Sequence, residues 1–171
     1  IVKNNTYKIT SKKADLLSLS CTQTLAVSLH GFERTPIQDS DRVLVYGLGP
    51  IGQTFIKLLK KFSRAKIIAL GRSPEKLKMA ESNGADQLVD IANKNGQEVI
   101  ELVRSEYPYG VDTVIEAVGK EEVWQTCLSL VRAGGLINYF GGCPKTSNIS
   151  LDTYRVHYEE LSIDQIIEKN K

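Results

Sequence analysis

The chain has 171 residues, 42% of them hydrophobic and 25% charged, with a formal net charge of +2 at pH 7. This length supports one well-filled core and is short for two domains. The small charge, without a long basic run, argues against nucleic acid as a partner, and no segment approaches the roughly 20 apolar residues of a membrane span. The first residues lack the pattern of a secretory signal, so we expect a cytoplasmic location.

The cysteines do not form a recognisable motif. Cys21, Cys127 and Cys143 are odd in number and far apart in sequence, which excludes a disulfide framework and a Cys-x-x-Cys site. Since His30 and His157 are the only histidines, we expect no metal site within this chain. Cys127 falls on an apolar helical stripe, and we predict that the three thiols are structural.

The first predicted element is one long helix over residues 13–34, which ends near Pro36. An apolar run at residues 42–46 predicts a strand, and helical spacing of apolar residues from Ile51 to Phe62 predicts the helix that follows. Between them stands a Gly-x-Gly-x-x-Gly turn. Strand, glycine turn and helix in this order are typical of a dinucleotide site, formed here by Gly47, Leu48, Gly49, Pro50, Ile51 and Gly52.

Strands and helices continue to alternate after this unit. Strands are predicted at residues 66–70, 87–89, 111–117, 136–140 and 161–163, and helices at 74–83, 97–107 and 121–131, with a polar helical tail over 164–171. This alternation predicts an α/β fold, a Rossmann-type doubly wound parallel sheet flanked by helices in three layers. Its ligand crevice should lie beyond the carboxyl ends of the strands, where the sequence has Ala117, Val118, Gly119, Gly141, Gly142 and Cys143.

The end of the second predicted strand favours NADP over NAD. An acidic residue commonly binds the adenosine ribose at this place, whereas this chain has Gly71 followed by Arg72 and Ser73, with Lys76 one turn later. A guanidinium suits a planar phosphate, and no carboxylate is present to repel it. The alternative is an ordinary turn, in which Ser73 caps the next helix and Arg72 is a solvated charge.

Several ordered motifs resemble one family. The chain resembles the cofactor-binding domain of medium-chain dehydrogenases. The segments that carry this resemblance are Leu25 to Gly31, the glycine turn, Gly84-Ala85-Asp86, residues 110–116 and Gly134-Gly135. The zinc-type alcohol, polyol and threonine dehydrogenases form the group it resembles. The resemblance implies a hydride-transfer enzyme that uses NAD or NADP, and an enzyme that can assemble into homo-oligomers through its last strands.

The resemblance also implies a missing part, because the zinc-binding Cys and Gly-His-Glu motifs of the family's catalytic domain are absent from this sequence. We therefore expect residues 1–36 to link to a catalytic domain, 37–163 to form the cofactor domain, and 164–171 to be a tail. The chain alone should be inactive.

One departure from the family's pattern leaves alternatives open. Gln23-Thr24 stands where polyol-type members have Glu-Pro, and a neutral amide is a poorer partner for zinc. Cys21 could replace that ligand, or be a plain buried thiol. The parent could use zinc, belong to the zinc-independent quinone or enoyl reductases, or be a nucleotide sensor without turnover.

Overall fold

The computed structural model describes residues 15–165, which form six strands and seven helices. The strands are β1 Arg42–Tyr46, β2 Lys66–Gly71, β3 Gln87–Asp90, β4 Val111–Glu116, β5 Val131–Tyr139 and β6 Ser162–Gln165. The helices are α1 Leu16–Ser20, α2 Thr22–Arg34, α3 Pro50–Phe62, α4 Pro74–Ser82, α5 Gly96–Glu106, α6 Glu121–Leu130 and α7 Thr153–Tyr158. The predicted doubly wound α/β fold is confirmed.

The six strands form one parallel sheet in the order β3-β2-β1-β4-β5-β6. The chain starts at β1 in the middle, builds outward to β3, and then returns to β4 on the other side of β1. Two neighbouring strands whose connections leave in opposite directions open a crevice beyond their carboxyl ends. Here that crevice lies beyond Tyr46 of β1 and Glu116 of β4, which are register partners.

Helices cover both faces of the sheet and give the predicted three layers. On one face, Phe55, Ile56 and Leu59 of α3 and Leu77 of α4 pack against the sheet, with α2 beside them. On the other face, residues of α5 and α6 pack against β1, β4 and β5, and Cys127 of α6 is fully buried among them. The central strands are buried on both faces, which explains their continuous apolar sequences.

The long N-terminal helix predicted over residues 13–34 is wrong in its continuity. The chain is interrupted at Cys21, which ends α1 and precedes α2. The Ser20 hydroxyl donates to the Leu17 carbonyl at 2.6 Å, and the Cys21 amide bonds to Ser18 instead. Serine side chains compete with the helical backbone in this way. Lys13 and Ala14, where the prediction began, lie outside the described residues.

Boundaries at the end of the sheet also differ from the prediction. β5 begins at Val131 rather than Leu136, so the Gly134-Gly135 pair lies inside it, and the pairing with β4 shifts register between Val111 and Thr113. β6 extends to Gln165, so the first two residues of the predicted helical tail are strand. The rest of that tail lies outside the described residues. The short helix α7 was not predicted.

Candidate functional site

A cleft of about 350 Å³ lies beyond the carboxyl ends of β1, β2 and β4. Three predicted segments line it together: the glycine turn, the residues that follow β2, and the residues that follow β4. Apolar side chains of Leu70, Ile91 and Val123 line it as well. The lining residues predicted from the sequence are Gly47, Leu48, Gly49, Gly71, Arg72, Ser73, Lys76, Ala117 and Val118.

The first two glycines of the turn differ in what a side chain at their position would meet. Gly47 has φ +103°, a conformation that L side chains rarely adopt, and a Cβ there would lie 2.5 Å from Cγ2 of Val118. Gly49 precedes α3, and a Cβ at this position would meet no atom within 4 Å. The space in front of Gly49 is therefore open to the cleft, at the helix N-terminus where unpaired amides and the helix dipole favour an anion.

The third glycine allows the helix to close on the turn. A Cβ at Gly52 would lie 1.9 Å from the carbonyl oxygen of Gly47. Gly52 is buried, and neither it nor Pro50 and Ile51 lines the cleft. These three residues shape the site without facing it.

The residues after β2 have features of both alternatives, a phosphate-binding site and a helix-capping turn. The Ser73 hydroxyl accepts a hydrogen bond from the Lys76 amide at 3.4 Å, so Ser73 does cap α4. The Arg72 side chain is exposed and, among residues 15–165, makes no hydrogen bond or ion pair. Capping by Ser73 and binding of a ligand by Arg72 are compatible, since they use different atoms.

Charge around the cleft is of one sign. Arg72, Lys76 and Lys120 line it, and no aspartate or glutamate is among its lining residues. Sequence reasoning missed Lys120, although it directly follows the predicted loop residue Gly119. Lys120 also borders a neighbouring cleft of about 620 Å³, where its amine lies 3.8 Å from a Glu122 carboxylate oxygen.

The loops after β4 and β5 pack against each other beside the cleft. A Cβ at Gly119 would lie 2.6 Å from the carbonyl oxygen of Gly142, and one at Gly141 would lie 2.4 Å from the Gly119 nitrogen. Gly119 borders the larger cleft, whereas Gly141, Gly142 and Cys143 line neither cleft. The structure thus brings both loops to the same end of the sheet, but only the loop after β4 lines a cleft there.

Glu116 fixes the β4 loop from below. Its carboxylate, fully buried, accepts hydrogen bonds from the amides of Val118 at 2.7 Å and Gly119 at 2.9 Å. Its backbone carbonyl accepts from the amides of Phe140 and Gly141, which belong to the loop after β5. Burial raises the pKa of Glu116, and burial also raises the pKa of neighbouring Tyr46 to about 12. The Glu116 carboxylate therefore supports the loop after β4, and Glu116 does not line the cleft.

The side chains that could serve as metal ligands do not lie together. Cys127 is buried as predicted, whereas Cys21 is exposed, which contradicts its reading as a plain buried thiol. Among residues 15–165, no three His, Cys, Asp or Glu side chains are grouped so that they could hold a metal ion. Within the same range, no helix has the length and apolarity that crossing a membrane requires.

Comparison with known proteins identifies the class. The sequence model of the zinc-binding dehydrogenases matches residues 50–170, which is most of the chain. The chain belongs to the zinc-binding dehydrogenase family.

Individual relatives agree with this assignment. The chain is 37% identical over 119 residues to an erythritol/L-threitol dehydrogenase of Mycolicibacterium smegmatis, covering 70% of this chain and 32% of that protein. It is 32% identical over 123 residues to an NADP-dependent isopropanol dehydrogenase of Clostridium beijerinckii, covering 70% and 34%. Among solved structures, a candidate zinc-binding dehydrogenase of Sinorhizobium meliloti 1021 bound to NADP superposes with a TM-score of 0.74 at 26% identity, covering 83% and 42%.

The coverage values define what portion of these proteins is compared. The chain spans about a third of the length of the curated relatives it matches and about two fifths of the solved structure. The family model begins at residue 50, the first residue of α3, and covers every later element of the sheet.

Proposed function

We propose that this chain is the dinucleotide-binding part of an oxidoreductase that transfers hydride between NADP and an alcohol or polyol. In this proposal, residues 37–163 form the cofactor domain, residues 1–36 link it to a catalytic domain outside this chain, and residues 164–171 are a tail. Any catalytic zinc would be held by that other domain. The chain alone would bind cofactor without turning over an alcohol.

The glycine turn fits a pyrophosphate. Gly49 leaves the approach to α3 free, and the N-terminus of that helix, whose positive dipole end favours an anion, begins at the next residue. From there the adenosine end would enter the cleft between Arg72 and Lys120, with Ile91 and Val123 as apolar walls for the adenine. The other end would extend toward the loops at Gly119, Gly141, Gly142 and Cys143.

The division of labour follows from this arrangement. The cofactor, when bound, supplies the hydride chemistry, and this chain's residues orient it. Glu116 would hold the loops against which the nicotinamide end rests, since its carboxylate and backbone carbonyl bond to amides of both. Glu116 itself is fully buried and would not touch the reacting atoms.

The observation that carries the preference for NADP is the charge of the cleft. Its lining includes Arg72, Lys76 and Lys120 and no carboxylate, and Gly71 occupies the strand end where an acid commonly binds the ribose. The unpaired guanidinium of Arg72 is available for a 2′-phosphate. The relatives described as NADP-dependent or bound to NADP support this reading, and the erythritol/L-threitol relative supports a polyol as substrate.

Titration of NADP and NAD into the protein that carries this chain tests the proposal. We expect wild type to bind NADP more tightly, and Arg72→Ala to lose about 1.5 to 3 kcal/mol of NADP binding, with little effect on NAD, because only NADP has the phosphate. A matched control is Arg64→Ala, which removes an exposed arginine that does not line the cleft.

Two outcomes would contradict the proposal. If the protein bound neither NADP nor NAD, the proposed dinucleotide site would be rejected as a whole. A wild-type preference for NAD, or an equal loss for both cofactors in Arg72→Ala, would leave the residues after β2 as a helix-capping turn.

A further inference from the structure

Gln53 is a buried polar side chain in the first turns of α3, directly after Gly52. Its residue is only 7% exposed. A buried amide must find hydrogen-bond partners or destabilise the fold, so its partners reveal which elements it joins.

Gln53 joins α3 to both ends of α4. Its Nε2 donates to the carbonyl of Lys76 at 2.8 Å and lies 3.5 Å from the carbonyl of Leu48 in the glycine turn. Its Oε1 accepts from Nδ2 of Asn83, the residue after α4, also at 2.8 Å. The Gln53 side chain therefore bonds to α4 near its start and to the residue just beyond its end.

The rest of α4 is attached lightly. Its buried residues are Leu77 and Ala80, which pack in the cluster on that face of the sheet, whereas Glu75, Lys76 and Lys78 are exposed. Apolar contacts are not directional, so they permit small rotations and shifts of the helix. The amide of Gln53 supplies directional bonds, and one of them is to the backbone of a residue whose side chain lines the cleft.

We propose that Gln53 is a positioning residue for cofactor selectivity. By holding the Lys76 carbonyl at a fixed distance from the glycine turn, it sets the spacing between the pyrophosphate site and the cations that would bind the 2′-phosphate. The inference rests on the proposed function, because it requires that this cleft binds NADP. Gln53 does not line the cleft and would act only through the placement of α4.

Selectivity distinguishes this role from simple support of the fold. A residue that only stabilises the protein affects binding of NADP and NAD alike, since both need the same folded cleft. A residue that positions α4 affects chiefly the cofactor with the additional phosphate. The ratio of the two dissociation constants is thus the informative quantity.

The experiment compares Gln53→Met with wild type and with Gln87→Met in the protein that carries this chain. Methionine keeps the length and volume of glutamine and removes its hydrogen bonds. Gln87 is a matched control because it also joins two elements, bonding to Tyr107 and Glu106, and lies at the other end of β3 from the cleft. Dissociation constants for NADP and NAD are measured by calorimetry, and folding is checked by thermal unfolding.

We expect Gln53→Met to weaken NADP about fivefold more than NAD, in line with the loss of one buried hydrogen bond. Gln87→Met should leave the ratio within about twofold of wild type. Asn83→Ala removes the bond that orients the Gln53 amide while keeping Gln53 and its bond to the Lys76 carbonyl, and should shift the ratio in the same direction by a smaller factor. This variant provides the test if Gln53→Met fails to fold.

The outcomes separate the two proposals. Failure of wild type to bind NADP would reject the proposed function. Normal NADP preference in wild type with an unchanged ratio in Gln53→Met would reject the positioning role alone, as would an equal loss for both cofactors. If Gln53→Met does not fold, an unchanged ratio in Asn83→Ala rejects it.

Discussion

The side chain of Leu48 lies directly over Gly71, so that a Cβ at position 71 would stand 2.6 Å from its Cδ1 and 3.0 Å from its Cγ. The second residue of the glycine turn thus occupies the space into which a ribose-binding acid would extend. Leu48 itself is only 4% exposed. Leu48 therefore restricts the room for any side chain at position 71.

The contact predicts that Gly71→Asp needs a second change before it favours NAD. Alone, it should destabilise the protein by about 1 to 3 kcal/mol through overpacking against Leu48. Combined with Leu48→Ala, the aspartate gains room, should repel a 2′-phosphate, and should shift preference toward NAD. Urea unfolding and cofactor titration measure the two effects. Full stability of the single variant would contradict the packing argument, and retained NADP preference in the double variant would contradict the electrostatic one.

Gly52 should be sensitive to the smallest substitution. In Gly52→Ala the new methyl would lie 1.9 Å from the Gly47 carbonyl oxygen, and neither backbone segment can move without opening the turn. We expect a loss of about 3 kcal/mol in the free energy of unfolding. Gly49→Ala is the control, because its methyl meets open space and should cost less than about 1 kcal/mol as a helix cap. Equal stabilities of the two variants would reject this distinction.

Asp112 predicts a pH-dependent contribution to stability. Its carboxylate bonds to Arg42 at 2.8 Å and to Arg132 at 2.6 Å, and joins the entry of β4 to those of β1 and β5. Burial opposes ionisation of Asp112, but the hydrogen bonds from the two arginines outweigh it and lower its pKa. The folded protein therefore favours the charged form more than the unfolded chain does.

The stabilisation by Asp112 is complete above the ordinary aspartate pKa of about 4. It is lost as the pH falls from there toward the lower pKa that Asp112 has in the folded protein. Asp112→Asn should cost about 2 kcal/mol at neutral pH, and the difference from wild type should narrow below about pH 4. Urea unfolding at several pH values measures it. Glu122→Gln, at an exposed 3.8 Å ion pair, is the control and should show little effect. A difference that stays constant with pH would contradict the assigned role of charge.

Local sequence patterns were sufficient for much of the fold. β1, the glycine turn and α3 were predicted nearly to the residue, since an apolar run, three glycines and helical spacing are signals within one short stretch. α4 also begins after Ser73 and ends at Ser82, as a serine cap, a following proline and a later Asn-Gly predict. The weaker predictions were those that depended on contacts between distant residues.

The tie between α2 and the sheet is an example. Asn138 is fully buried in β5, and its Nδ2 donates to the hydroxyl of Thr35 at 2.7 Å, while that hydroxyl donates to the Gly31 carbonyl. No periodicity links residues that lie 103 positions apart. The break at Cys21 was missed for a different reason, because a serine side chain that takes a backbone carbonyl leaves the apolar pattern unchanged.

Part of the cleft could likewise be predicted and part could not. The glycine turn, Arg72 and Lys76 follow from motif and spacing, and they do lie around one cleft. Lys120 joins them only because β4 lies next to β1, and Gln53 reaches α4 only through the packing of two helices. The assembly through the last strands that the resemblance implies stays a prediction; in this region Ile163 is 43% exposed and Leu161 is 7% exposed.

Titration of NADP into Gly49→Val tests the central claim, that this cleft holds a dinucleotide at the glycine turn. The position has ordinary backbone angles, φ −73° and ψ −176°, and a valine there extends into open space, so the fold should be retained. The side chain would occupy the approach of the pyrophosphate, and we expect affinity to fall by a factor of about 10 or more, equivalent to about 1.4 kcal/mol. A Gly49→Val protein with the wild-type unfolding temperature and unchanged NADP affinity would contradict the claim.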